Sequence, residues 1–210
     1  MIISYYGEGC FKIQSGELNI LTDPPNPSSG LPAPRFKADL IVKTLAQIPS
    51  ANEPSNQQDN QLIYGPGEYN VKEIDLIGLG LAKESTNKFI KTIYILKAES
   101  LRICLLGHIS ELPEPLVAER LEEIDILFVP AGGKPFLDQK LAAKLIKQIE
   151  PKIIIPSFFK IPGLKRPAAD IKEFLEEVNH GKSEPVEKLT IKKKDLVEIK
   201  KNKVVQLISH

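Results

Sequence analysis

Short apolar stretches broken by glycine turns fill the first forty residues. IISYY (2–6), CFKI (10–13) and LNILT (18–22) each have the length and alternation of a strand, and Ser15, Gly16 and Glu17 have the residue types of a hairpin turn between the last two. DPPNPSSGLPAP (23–34) is too rich in proline for a helix or a central strand. DLIVK (39–43) predicts the next buried strand, followed directly by a loop that runs through Leu45 into the polar stretch NEPSNQQDN (52–60). GPGEYNV (65–71) reads as a tight turn entering further strands at EIDLIGLGLA (73–82), KTIYILKA (91–98) and SLRICLL (100–106), with Glu99 and Ser100 closing a hairpin.

From Pro113 the period changes. LVAERLEEI (116–124) predicts a short helix and IDILFVP (124–130) a strand ending at Ala131, Gly132 and Gly133. Asp138 is placed to cap a helix whose Leu141, Leu145 and Ile149 recur on one face, and KIIIP (152–156) reads as a strand buried on both sides. A second helix is expected from near Pro167, with Ile171, Phe174, Leu175 and Val178 on one stripe and Gly181 as its stop. The tail EKLTIKKKDLVEIKKNKVVQLIS (187–209) alternates well enough for three short strands. Strands first and strand–helix units later predict an α/β fold in layers around buried sheets, with no linker dividing residues 1–210 into two domains.

Composition narrows the function classes. Lys and Arg number 28 against 27 Asp and Glu, so the long-range field gives no general reason for a nucleic-acid or membrane partner. The basic run IKKKDLVEIKKNK (191–203) interleaves acidic and apolar residues and has no aromatic platform for bases, which favours a solvated face over a nucleic-acid site. Cys10 and Cys104 are far apart and flanked by apolar residues, as buried free thiols would be, and MIISYYGEGC lacks the pattern of a signal peptide. A cytoplasmic protein is therefore expected. The three histidines, His108, His180 and His210, are too few and too scattered to assemble a histidine-based metal cluster.

Seven fragments, in this order, carry a resemblance: GEGCFKI, ILTDP, ADLIVKT, GPGEY, LRICLLG, EIDILFVPAGG and IEPKIIIPSFFKIPG. The chain resembles the metallo-β-lactamase-fold hydrolases, in their branch of small lactonase-like proteins, over essentially its whole length. The resemblance implies a four-layer αββα sandwich with mixed sheets and an active site at one edge of the two sheets. It implies one or two metal ions, usually zinc, that activate water against esters, lactones or phosphodiesters.

The family's ligand pattern can be laid on this sequence position by position. His-x-His-x-Asp-His after the strand corresponding to ADLIVKT falls on Leu45, Gln47, Pro49 and Ser50. The next ligand histidine falls near Lys83, the bridging aspartate on His108, and the last histidine on Phe158. The resemblance thus implies a scaffold whose former-site positions have all changed, including both carboxylates, which would be costly to leave facing each other without a cation. Closure of the vacated space into a small, partly apolar depression is expected.

Other chemistry is thin. A Cys104–His108 dyad would need contact between residues four apart at a strand end and has no evident third group to orient it. Asp23 and His108 are the candidate polar groups left in the cleft, though Asp23 is more simply read as a turn carboxylate accepting backbone N–H bonds in the Asp-Pro-Pro bend. Lys83 reads as solvated, and the glycines of GPGEY and AGGK lack phosphate-loop spacing. The expectation is a metal-free pseudoenzyme, without cofactor, that binds a small molecule or a protein. The competing expectations are a zinc hydrolase with an atypical site and a weak nucleic-acid binder through the C-terminal lysines.

Overall fold

The computed structural model describes residues 1–48, 61–178 and 183–210. Two sheets pack face to face. The first has six strands in the order β13-β1-β2-β3-β4-β6: β1 (Ile2–Tyr5), β2 (Phe11–Ser15), β3 (Leu18–Thr22), β4 (Leu40–Lys43), β6 (Gln61–Tyr64) and β13 (Lys188–Thr190). The second has eight in the order β14-β12-β11-β10-β9-β8-β7 plus β5 on β9: β5 (Leu45–Gln47), β7 (Gly67–Val71), β8 (Ile74–Gly80), β9 (Phe89–Ala98), β10 (Leu101–Leu105), β11 (Ile126–Pro130), β12 (Ile153–Ser157) and β14 (Lys203–Val204).

Burial follows the sequence period. In β1, β2 and β4 every second residue faces inward, with Ile3, Tyr5, Phe11, Ile13, Leu40 and Val42 buried between the sheets. β11 and β12 are buried at every position because they are parallel central strands covered on both faces. The two inner faces form one continuous core running from Met1 to Leu207.

The helices are unevenly distributed. α2 (Gln139–Ile149) packs on β11 of the second sheet and α3 (Ile171–Glu177) on α2, while α1 (Pro115–Ala118) shares a surface concavity with α2. The outer face of the first sheet is covered instead by the proline-rich connection, whose Phe36 and Ala38 meet Tyr6, Cys10 and Leu21 in a separate small cluster. Proline there excludes a helix and leaves an irregular layer.

Several expected elements are as the pattern indicated. The Glu99–Ser100 hairpin turn has both residues at positive φ, and Asp138 caps α2 by accepting from the Lys140 N–H at 2.9 Å. Four expectations change. α1 is a single turn, with Pro115 in its first turn, and ends at Ala118 where the expected helix ran on to Ile124. The later helix begins at Ile171 with Asp170 as its cap, so the chain around Pro167 is irregular and not helical. The middle of the tail is a 3-10 helix (Lys193–Glu198), in which Leu196 alone is buried, so alternation there reflected solvated lysines. The stretch from Leu45 is a strand and no loop: it pairs antiparallel with β9, Leu45 opposite Lys91 and Gln47 opposite Phe89. Gly181 lies outside the described residues.

Candidate functional site

Three side chains meet where β3, β4 and β10 end. Asp23 follows β3, Thr44 follows β4, and His108 follows β10 by Leu106 and Gly107. Asp23 Oδ1 accepts the Thr44 N–H at 2.7 Å and Asp23 Oδ2 accepts the Thr44 hydroxyl at 2.6 Å. Thr44 Oγ1 is in turn 2.7 Å from His108 Nδ1. The Asp23 carboxylate therefore clamps the start of the neighbouring chain segment, and its partners are not in its own Asp-Pro-Pro bend as the sequence had indicated. Gly107 makes the close approach possible: at φ +60, a Cβ there would lie 2.1 Å from Thr44 Oγ1.

Aromatic rings form the adjoining wall. Phe158, fully buried at φ +57, packs edge-on to His108 at 4.8 Å between centroids and against Phe136 at 4.3 Å. Gly9 and Gly132 leave it room, since a Cβ on Gly9 would stand 2.5 Å from the Phe158 ring and one on Gly132 would stand 2.1 Å from the Phe158 carbonyl oxygen. Glu8 ties this wall down: its backbone oxygen accepts the Phe158 N–H at 3.0 Å and its carboxylate accepts Arg166 Nε and Nη2 at 2.8 and 2.9 Å. The Arg166 guanidinium also donates to the Phe158 carbonyl and lies over the Phe136 ring at 4.7 Å.

Glu8, Asp23, His108, Phe136, Phe158 and Arg166 line a cleft of about 910 Å³ together with Lys43, Leu45, Ala46, Gln47, Leu62, Tyr64, Phe89 and Lys91. The space is open and far larger than the depression expected from closure, because the aromatic side chains form its wall and do not fill it. Lys91 is held by Glu84 Oε2 at 2.7 Å, and Glu84 also accepts the Ser110 N–H at 2.8 Å. Burial acts to raise the Glu84 carboxyl, but the bonds from Lys91 and Ser110 outweigh it and hold it below the usual range. A second concavity of about 650 Å³, beside the Glu99–Ser100 turn and Lys193, holds mixed surface charges and none of the ligand positions.

Burial sets the protonation of the inner groups. It raises the Asp23 carboxyl, an effect partly offset by His108 and by the Thr44 bonds. It lowers His108, with Asp23 and Glu8 opposing and Lys91 and Arg166 reinforcing the shift. Cys104 is fully buried with its thiol pushed well up, and none of its described contacts joins it to His108, so no thiolate dyad exists there. Cys10 is likewise a buried thiol in the small outer cluster.

Of the positions laid out from the family pattern, Leu45, Gln47, His108 and Phe158 line this cleft. Lys83 is exposed, its N–H donating to Glu114 Oε1 at 3.1 Å, and the cleft's lysines are Lys43 and Lys91. Pro49 and Ser50 lie outside the described residues, as does His180. Thr44 and the Glu8–Arg166 pair were missed in sequence. Thr44 ends ADLIVKT in plain view, but its partners are 21 and 64 residues away.

Residues 2–157 match the sequence family described as the beta-lactamase superfamily domain, and the chain belongs to that family. No curated protein matches it. Among solved structures, a provisionally assigned Zn-dependent hydrolase of the metallo-beta-lactamase superfamily from Thermotoga maritima aligns with TM-score 0.78 and 23% identity over 100% of this chain and 99% of its own. Igni18, a metallo hydrolase from Ignicoccus hospitalis, aligns with TM-score 0.67 and 19% identity over 91% and 99%. The metallo-beta-lactamase fold protein YhfI from Bacillus subtilis aligns with TM-score 0.58 and 9% identity over 99% and 96%. These likenesses establish the metallo-β-lactamase fold.

The family's zinc does not fit the donors present. The described residues contain no group of three or more His, Cys, Asp or Glu side chains placed to share an ion. The cleft's two carboxylates are already committed, Asp23 to Thr44 and Glu8 to Arg166, and His108 Nδ1 is taken by Thr44. One imidazole nitrogen remains, where zinc needs three or four ligands.

Proposed function

We propose that this chain is a metal-free member of its hydrolase family whose cleft binds a small molecule and does not activate water through a metal. The observation that carries the reading is the spending of the cleft's carboxylates on protein partners: both oxygens of Asp23 are bonded to Thr44 and the Glu8 carboxylate to Arg166, in the cleft lined by Leu45, Gln47, His108 and Phe158, on which the family's ligand pattern falls. Leu45, Gln47 and Phe158 supply no ligand of ordinary strength beside it. A cleft of about 910 Å³ with an apolar wall and a few convergent polar groups has the size and lining of a small-molecule site.

Elemental analysis of protein purified without a histidine tag and dialysed against metal-free buffer tests this. Zinc, iron and manganese are expected far below one equivalent, and melting temperature is expected to be unchanged by added zinc or by chelator. Near-unit occupancy, or lactone or ester hydrolysis abolished by chelator, would instead establish an atypical metallohydrolase.

A further inference from the structure

The Thr44 hydroxyl carries one hydrogen, yet Thr44 Oγ1 lies 2.6 Å from Asp23 Oδ2 and 2.7 Å from His108 Nδ1. It donates one of these bonds and accepts the other. With Asp23 ionised the hydroxyl points to the carboxylate, so the hydrogen of the second bond sits on Nδ1. The neutral ring then leaves Nε2 as a bare acceptor. Nε2 has no protein partner among the described residues and is not among the buried polar atoms left without one, while the ring lines the cleft.

We propose that Asp23, Thr44 and His108 form a proton relay opening into the cleft at His108 Nε2, and that the cleft takes a small amphipathic molecule presenting a neutral, weakly acidic hydroxyl to that nitrogen. The proposal rests on the metal-free reading, since a metal on Nε2 would occupy the same lone pair. In the transfer, the ligand O–H bond breaks and Nε2–H forms, Nδ1–H passes to Thr44 Oγ1, and the Thr44 hydroxyl hydrogen passes to Asp23 Oδ2. The products are a ligand anion, a neutral imidazole and a neutral Asp23 carboxyl, so no charge is left in the buried relay. That ending suits an environment in which burial disfavours the charged form of both residues.

The surroundings define the rest of the ligand. Leu45, Leu62 and Tyr64, 37%, 47% and 37% exposed, form an apolar rim suited to a flat or aliphatic body. Lys43 lines the same cleft and favours the anion once formed, while opposing a cationic ligand; Lys91, also in the lining, is already paired with Glu84. The charged groups acting on His108 are Asp23, Glu8, Lys91 and Arg166, two of each sign, and its remaining ring neighbours are Phe136 and Phe158. Asp23 and Thr44 are positioning residues; His108 is the group that meets the ligand.

Asp23→Asn separates this relay from simple packing. The Asn carbonyl must accept the Thr44 N–H, which puts its amide nitrogen at the Oδ2 position as a donor to Thr44 Oγ1. The hydroxyl then donates to Nδ1, and the hydrogen of the ring moves to Nε2. Nitrogen-15 NMR of the imidazole in chelator-dialysed full-length protein at neutral pH reads this directly. The expected result is Nδ1–H in the native protein and in Thr44→Ser, and Nε2–H in Asp23→Asn. Nε2–H in the native protein, or no change in Asp23→Asn, overturns the relay. For the ligand class, 4-nitrophenol is the probe and its methyl ether, 4-nitroanisole, the control. The native protein is expected to bind the phenol more tightly than the ether, losing affinity as pH rises through the phenol's own titration, whereas Asp23→Asn is expected to prefer the phenolate. Equal binding of phenol and ether, or no binding of either, overturns the ligand class. Metal found by elemental analysis overturns the underlying metal-free reading, which the tautomer measurement does not address.

Discussion

At the scale of single residues, Gly107 is the most constrained position in the site. Gly107→Ala adds a Cβ 2.1 Å from Thr44 Oγ1 at φ +60, where an L-residue is strained whatever the space. A loss of about 1–3 kcal/mol in denaturant-measured stability is expected from backbone strain of this kind, together with loss of the His108–Thr44 hydrogen bond in NMR spectra. Titration offers a second test. His108 has its pKa lowered below the ordinary 6.5 by burial, so as pH falls through that value the unfolded chain takes a proton that the folded chain does not. Stability contributed by the neutral folded ring is therefore present above 6.5 and is lost as pH falls from there toward the lowered folded value. Asp23 acts oppositely and lower down: its raised pKa means that the folded chain takes up a proton before the unfolded one, regaining stability as pH falls toward 3.8. Melting temperatures of the native protein are expected to decline as pH falls below 6.5, and the decline to flatten in His108→Gln. An unchanged slope in the variant would place the acid sensitivity elsewhere.

At the scale of elements, the strand at Leu45–Gln47 decides the shape of the cleft. Thr92 N–H donates to the Thr44 carbonyl and Ile48 N–H to the Lys88 carbonyl, so the hydrogen-bonded pairs of β5 and β9 alternate around Ala46 opposite Ile90. Ala46→Pro removes a donor from the middle of this short ladder. Faster amide exchange at Ile48 and Thr92 is expected, with little change at β11, and retention of native protection at Ile48 would contradict the pairing. DLIVK was legible as a strand because its apolar residues are local. β5 was not, because LAQ has no local signal and owes its form to a partner more than forty residues later. The 3-10 helix at Lys193–Glu198 was missed for the reverse reason: lysines at a solvated surface imitate the polar half of an alternating strand.

At the scale of the whole molecule, charge is balanced at +1 and the basic tail is partly neutralised, Lys193 bonding both oxygens of Asp125 at 2.7 and 2.9 Å. No steep salt-dependent binding to duplex DNA or RNA is expected in a fluorescence titration near physiological ionic strength, and a steep slope would point to several phosphate contacts. No helix among the described residues is long and apolar enough to cross a membrane. Seven ordered fragments sufficed to place the chain in its fold through their resemblance to a known family, while strand alternation, turn glycines and caps, being local preferences that the packed sheets agree with, gave the α/β layers. That Leu45, Gln47 and Phe158 carry no strong metal donor was equally readable, since folding cannot supply a donor that the sequence lacks at those positions. What the side chains there do together was decided only in three dimensions. Asp23, Thr44 and His108 stand at three strand ends drawn from two sheets, and hydrogen bonds of 2.6 and 2.7 Å among them depend on how those sheets register and pack, which no stretch of neighbouring residues encodes.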